Sequence, residues 1–333
     1  MKSKFLKLIG VSIASLLMPL CISCDEKNDS GKLKIVTTIF PEYDWVMNVL
    51  GEQKDNASVT MLLDSGVDLH SYQPSPKDIV TVSKCDLFIY VGGESDEWVE
   101  DVLKQATNKN MLTINLLETL GDAAKEEELI EGMQGEEEHD HEEGEDHDHE
   151  DEEEKEYDEH VWLSLKNAKL FVETISDSLS ALDKDNANYY KANADAYVAN
   201  LTALDSQYEA AVNAGNQKTL LFADRFPFRY LIEDYSLKYY AAFIGCSAET
   251  NASFETIVFL ANKVDELGLK AIIKIEGSDG SIANAVKQAT QAKDQTILTM
   301  DSIQSATTKE YKNGRNYLSI MTSNLEVLKE AVK

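Results

Sequence analysis

Six histidines occur in these 333 residues, and their placement points to chemistry before any other feature does. Four of them, His139, His141, His147 and His149, lie in the acidic run HDHEEGEDHDHEDEEEKEYDEH. The other two stand apart, His70 in DLHSYQPSP and His160 in DEHVWLSL. Neutral imidazole is the commonest protein ligand for zinc and related metals, and short His-rich tracts are a compositional sign of metal binding. Two well-placed histidines and an acidic collecting arm would make a divalent-metal binder. The plain alternative is a solvated acidic loop beside two incidental histidines.

The elements that would position these groups read as strands alternating with helices. LKIVTTI (33–39), SVTMLL (58–63), DLFIYV (86–91) and LTINL (112–116) are short β-branched and apolar runs, each followed by a helical pattern. After the acidic tract the alternation resumes with TLLFA (219–223), YYAAF (239–243), KAIIKI (270–275) and TILTM (296–300). Such alternation predicts an α/β fold with parallel sheets and helices on both faces. Four plus four units predict two lobes, each with a four-stranded parallel sheet flanked by helices.

In open α/β sheets ligands bind outside the carboxyl ends of the strands. His70 falls in the loop after the second strand and His160 in the long connection after the fourth. Asp224 follows TLLFA, Glu276 follows KAIIKI and Asp301 follows TILTM. All five sit on strand-to-helix connections, so two facing sheet edges would form a His/carboxylate site in a cleft between the lobes. Each also has a dull reading, Asp224 and Asp301 as helix caps and Glu276 as a solvated charge.

Between the two sets of strands, Tyr190, Ala194, Tyr197, Leu201, Leu204, Tyr208 and Ala211 recur at spacings of four and three, one apolar stripe on a helix. A helix over 185–213 would be about 43 Å long, enough to bridge both lobes. A coiled-coil dimer is the competing use of such a stripe, but one isolated stretch between two α/β halves favours packing within a single chain and hence a monomer.

The first residues set the compartment. Lys2, Lys4 and Lys7 precede an apolar run from Leu8 to Leu20, the order of a secretory signal, and a run too short to span a bilayer comfortably. Leu20-Cys21-Ile22-Ser23-Cys24 resembles a bacterial lipobox, with residues 1–23 as signal peptide, Cys24 as the lipidated residue and 24–32 as a tether. Cys85 and Cys246 remain; Cys85 lies in the apolar CDLFIYV, and both read as buried free thiols rather than a disulfide framework. The net charge of −29 is mostly local, with 21 acidic residues and one lysine between Glu126 and Glu159. That surface excludes nucleic acid as a partner, and the segment 126–158 is too acidic and too poor in apolar groups to fold alone.

Taken together, IVTTIFPEYDWV (35–46), DLHSYQPSPKDI (68–79), VGGESDEWVE (91–100), DEHVWLSLKNA (158–168), FADRFPFRYLIEDYSLKYY (222–240) and LTMDSI (298–303) resemble the zinc/manganese solute-binding lipoproteins of bacterial ABC importers. The resemblance runs from Lys34 to the C-terminus. It implies an N-terminal lobe over 33–184, a rigid helix over 185–213 and a C-terminal lobe over 217–333. It implies metal ligation by His70, His160 and Asp301, with an ABC permease in the membrane as partner. The His-rich acidic loop before the second ligand is a trait of zinc-type members. The family usually places His, or Glu in manganese-type members, at the head of FADRF; this chain has Ala223 there and Asp224 next. Asp224 is then the favoured further ligand, with Glu276, a tract histidine and water as the other candidates and an Asp224–Arg225 contact or a helix cap as its own other use, and a carboxylate there suits manganese better than imidazole does. Zn2+ is the expected cargo and Mn2+ the alternative, with His139, His141, His147 and His149 as secondary capture sites.

No H-E-x-x-H, G-x-S-x-G or Walker A pattern occurs. A binding protein rather than an enzyme is the expectation, with a metal-dependent hydrolase and a surface adhesin or metal buffer as the other readings.

Overall fold

Both sheets have strands rich in Ile, Val, Leu and Phe, the composition of strands covered on two faces. A computed structural model describes residues 31–135, 156–247 and 251–333. The first sheet comprises β1 (Leu33–Thr37), β2 (Ala57–Met61), β3 (Leu87–Tyr90) and β4 (Leu112–Asn115) in the order β2-β1-β3-β4. The second comprises β5 (Thr219–Phe226), β6 (Lys238–Ile244), β7 (Ala271–Ile275) and β8 (Thr296–Met300) in the order β6-β5-β7-β8. All pairings are parallel. In each sheet the chain winds outward in both directions from a central pair, β1/β3 and β5/β7, which opens a crevice at their carboxyl ends.

The helix Ala187–Ala214 lies between the lobes and buries Tyr190, Ala194, Tyr197, Leu201, Leu204, Tyr208 and Val212. The predicted stripe is observed except at its end, where Val212 rather than Ala211 is fully covered. Its polar atoms tie it to both sides. Tyr197 donates to Asp44 Oδ2 (2.8 Å) on the helix Phe40–Leu50, and Asn193 donates to the Val49 carbonyl (2.9 Å). Tyr208 donates to the Met321 carbonyl (2.6 Å) on the helix Tyr317–Ala331. One apolar cluster runs from Ile35 through Trp162 and Leu201 to Leu328, so lobes and helix share a core.

Two expectations need correction. The strand expected over 219–223 extends to Phe226, so Asp224 sits inside β5 and not on the connection after it. The register of β5 against β6 breaks between Phe222 and Arg225, which only the partner strand reveals. The segment 126–158, expected to be without structure, has described ends that are tied down. Glu126 bridges Tyr157, Glu127 N–H donates to the Glu156 carbonyl (2.8 Å) and Gln134 N–H donates to the Ala242 carbonyl (2.9 Å) on edge strand β6. Backbone pairing needs no apolar side chains, and Gln134 covers a sheet edge that would otherwise stay open. His139, His141, His147, His149 and Cys24 lie outside the described residues. No helix among the described residues is long and apolar enough to cross a membrane.

Candidate metal centre

His70 is placed by a short turn, Leu69–Ser71, after β2. Asp68 caps that turn, its Oδ1 accepting from the His70 N–H (3.1 Å). The other Asp68 oxygen pairs with Arg225 Nη2 (2.8 Å), so the loop is clamped to β5 across the cleft. His160 leads into the turn Val161–Leu163, in a strap held from both sides. Trp162 Nε1 donates to the Ser302 carbonyl (2.9 Å), Tyr317 donates to the Trp162 carbonyl (2.7 Å) and Tyr230 donates to the Asp158 carbonyl (3.0 Å).

The two imidazoles meet edge to edge. His70 Nε2 and His160 Nε2 lie 3.2 Å apart, and His160 is fully buried. Each ring is held by its other nitrogen. His160 Nδ1 lies 3.0 Å from Asp158 Oδ1, and His70 Nδ1 lies 2.9 Å from Ser95 Oγ and 3.3 Å from Glu159 Oε2. A carboxylate beside Nδ1 fixes the hydrogen there and turns Nε2 into a lone-pair donor, the arrangement that orients metal-ligating histidines. With its amide nitrogen turned onto Asp68 (2.7 and 2.8 Å), Gln304 brings its oxygen to 2.9 Å from His160 Nε2. His70 Nε2 and the Gln304 oxygen thus converge on His160 Nε2, which donates to one of them when it carries the ring hydrogen and offers a lone pair when it does not.

Charge agrees with that geometry. Burial alone would lower the His70 pKa, but the bond and charge of Glu159 and the charge of Asp68 outweigh it and hold the ring above its ordinary value. Burial would raise Glu159, yet His70 and Ser95 bring it below the usual carboxylate range. Gly93 makes the Glu159 position possible. Its φ is +77°, and a Cβ there would stand 2.4 Å from Glu159 Oε1, the oxygen that accepts the Ser95 N–H at 2.8 Å.

The three expected carboxylates are engaged elsewhere. Asp224 accepts from the backbone N–H of Arg225 (3.0 Å) and of Ile275 (3.3 Å), stitching β5 to β7 beside the register break. Asp301 pairs with Arg315 Nη2 (2.6 Å) and accepts from Ile303 N–H (2.8 Å). Glu276 takes the Ser302 N–H (2.7 Å) and hydroxyl (2.6 Å). The groups whose ligand atoms all come within 4.8 Å of one another, among the described residues, are His70, His160 and Cys246. Cys246, expected to be buried away, is half-buried and free, while Cys85 is buried against Met111 (Sγ to Sδ 3.3 Å). Reasoning from sequence missed Cys246, although GCS directly follows YYAAF and so falls on the same carboxyl edge as the other candidates. A cavity of about 1000 Å³ opens over the site, lined by His70, Arg225, Cys246 and the acidic Glu94, Glu127 and Glu156 among others.

Residues 35–331 match the family described as "Zinc-uptake complex component A periplasmic". The chain belongs to this family. The zinc-binding lipoprotein AdcA of Streptococcus pneumoniae (TIGR4) is 33% identical over 327 residues, covering 98% of this chain and 61% of AdcA. The high-affinity zinc uptake system protein ZnuA of Bacillus subtilis (strain 168) is 32% identical over 310 residues, covering 93% of this chain and 90% of ZnuA. The chain thus spans about three fifths of the AdcA relative (61%) but nearly the whole length of the ZnuA one. The crystal structure of the Zn(II)-bound ZnuA-like domain of Streptococcus pneumoniae AdcA superposes with a TM-score of 0.69 at 29% identity, covering 91% of this chain and 99% of that one. Membership of the zinc-uptake component family agrees with the expected pair of four-stranded lobes joined by a long helix.

Proposed function

We propose that this chain is the extracytoplasmic solute-binding component of an ABC importer, which captures zinc in the cleft and delivers it to a membrane permease. His70 and His160 are the core ligands, and binding followed by release, rather than turnover, is the activity. The observation that carries the reading is the pair of Nε2 atoms 3.2 Å apart, each ring fixed through its Nδ1. The relatives named for zinc binding and zinc uptake support zinc as the cargo. Lipidation at Cys24 would tether the protein to the outer face of the membrane, and the tract histidines would collect further ions near the cleft.

Metal at 100 times its dissociation constant should stabilise the fold by about 2.7 kcal/mol through mass action. His160→Ala should lose most of the matching thermal shift, and calorimetric titration should show the tight site gone. A full shift with unchanged affinity in that variant would remove His160 from the site. Asp301 is already held by Arg315 and the Ile303 N–H, so Asp301→Asn should change tight-site affinity far less than His160→Ala does.

A further inference from the structure

We propose that the Cys246 thiolate is a ligand of the tight site, giving a His70–His160–Cys246 donor set; this rests on the reading of the cleft as a metal site. His70 Nε2 and His160 Nε2 converge from the first lobe and the strap, and the turn after β6 brings Cys246 up from the second lobe. The three ligand atoms lie within 4.8 Å of one another. Ligands sharing one zinc at bond lengths of about 2.0–2.3 Å stand roughly 3.3–3.7 Å apart. The gap to close is about an ångström, which rotation of a half-buried side chain covers.

The backbone before the thiol is shaped for this approach. Gly245 packs against the His160 ring so closely that a Cβ there would meet Cε1 at 3.0 Å and Nδ1 at 3.1 Å. A side chain at 245 would push the turn, and Cys246 with it, away from the imidazoles. The competing donors are committed to other partners, Asp224 to backbone N–H groups, Asp301 to Arg315 and Glu276 to Ser302. Among the His, Cys, Asp and Glu side chains of the described residues, Cys246 is the one whose ligand atom comes within 4.8 Å of both imidazoles. As the metal–sulfur bond forms, the S–H bond breaks and its proton passes to solvent, one per ion bound. A soft thiolate beside two imidazoles selects zinc over manganese.

The test uses the full chain, stripped with chelator and loaded with one equivalent of zinc or cobalt(II). X-ray absorption of the zinc form should require one sulfur at about 2.3 Å, and the cobalt form should show a near-ultraviolet sulfur-to-metal charge-transfer band. That band should vanish in Cys246→Ser and persist in Cys85→Ser. Cys246→Ser should also weaken zinc at least tenfold, the lower end of losses from mutating residues one shell further out, with a smaller change for manganese. A 1:1 zinc complex with only nitrogen and oxygen neighbours would overturn the thiolate assignment while leaving the metal site intact. Failure of the wild-type chain to bind either ion would overturn the cleft as a metal site, and this inference with it.

Discussion

At the scale of single residues, sequence distinguished donors by type but not by partner. His70 and His160 stood out because imidazole is scarce in this chain and its ligand chemistry is narrow. Asp224, Glu276 and Asp301 were placed near the correct strand ends, yet a carboxylate's use depends on what reaches it in space. Arg315 reaches Asp301, and the Ile275 amide of the neighbouring strand reaches Asp224. Those pairings lie outside any local pattern. Asp224→Ala should therefore strand two backbone donors and lower the stability of the metal-free protein by about 1–3 kcal/mol, with tight-site affinity near that of wild type. Urea denaturation and calorimetric titration of the same sample separate the two effects. Asp158 is the opposite case, since it holds Nδ1 of His160 (3.0 Å), one of the two proposed ligands. Asp158→Asn should leave the fold largely intact but weaken metal binding about 10–100-fold, the usual result of loosening a residue that orients a ligating histidine.

At the scale of elements, all eight strands and the long helix were legible because periodicity and apolar run length survive in one dimension. The break in β5 was not, because register belongs to two strands together. The helix depends on polar anchors as well as its stripe, and the Tyr197–Asp44 bond is the one with a consequence for pH. Burial pushes Asp44 up to about 7, against the opposing bonds from Tyr197 and the Tyr317 backbone. An unfolded Asp titrates near 3.9, so the native state favours the protonated acid. The resulting stabilisation is complete below about pH 4 and is lost as pH rises through about 7. Asp44→Asn, which cannot ionise, should lack that part of the slope, and its stability relative to wild type should improve between about pH 5 and about pH 8. Tyr197→Phe removes an opposing bond, so it should raise the Asp44 pKa further and extend the decline to higher pH. Denaturation midpoints across that range provide the check.

At the scale of the whole molecule, the two lobes and the helix share a core, and on the proposed function the charge at the cleft mouth sets how fast an ion reaches it. The cavity over the site is bordered by Glu94, Glu97, Glu127, Glu156 and Glu159. A concave acidic mouth concentrates cations and speeds their association, and salt screens that effect over about 8–10 Å at physiological ionic strength. On the proposed function, dissociation is governed by the short-range metal–ligand bonds and changes little with screening. Raising the salt from about 0.01 M to about 0.15 M, where the screening length falls from about 30 to about 8 Å, should therefore slow zinc association severalfold with a nearly constant off-rate. Stopped-flow competition with a fluorescent chelator would resolve the two rates. Replacing 136–155 with a short Gly/Ser linker removes most of the tract charge while keeping Glu127 and Glu156. That variant should bind fewer ions in total, retain one tight site and show a shallower salt dependence of association. Loss of the tight site on this deletion would mean that the tract supplies a ligand to the cleft, and that His70 and His160 do not hold the ion without it.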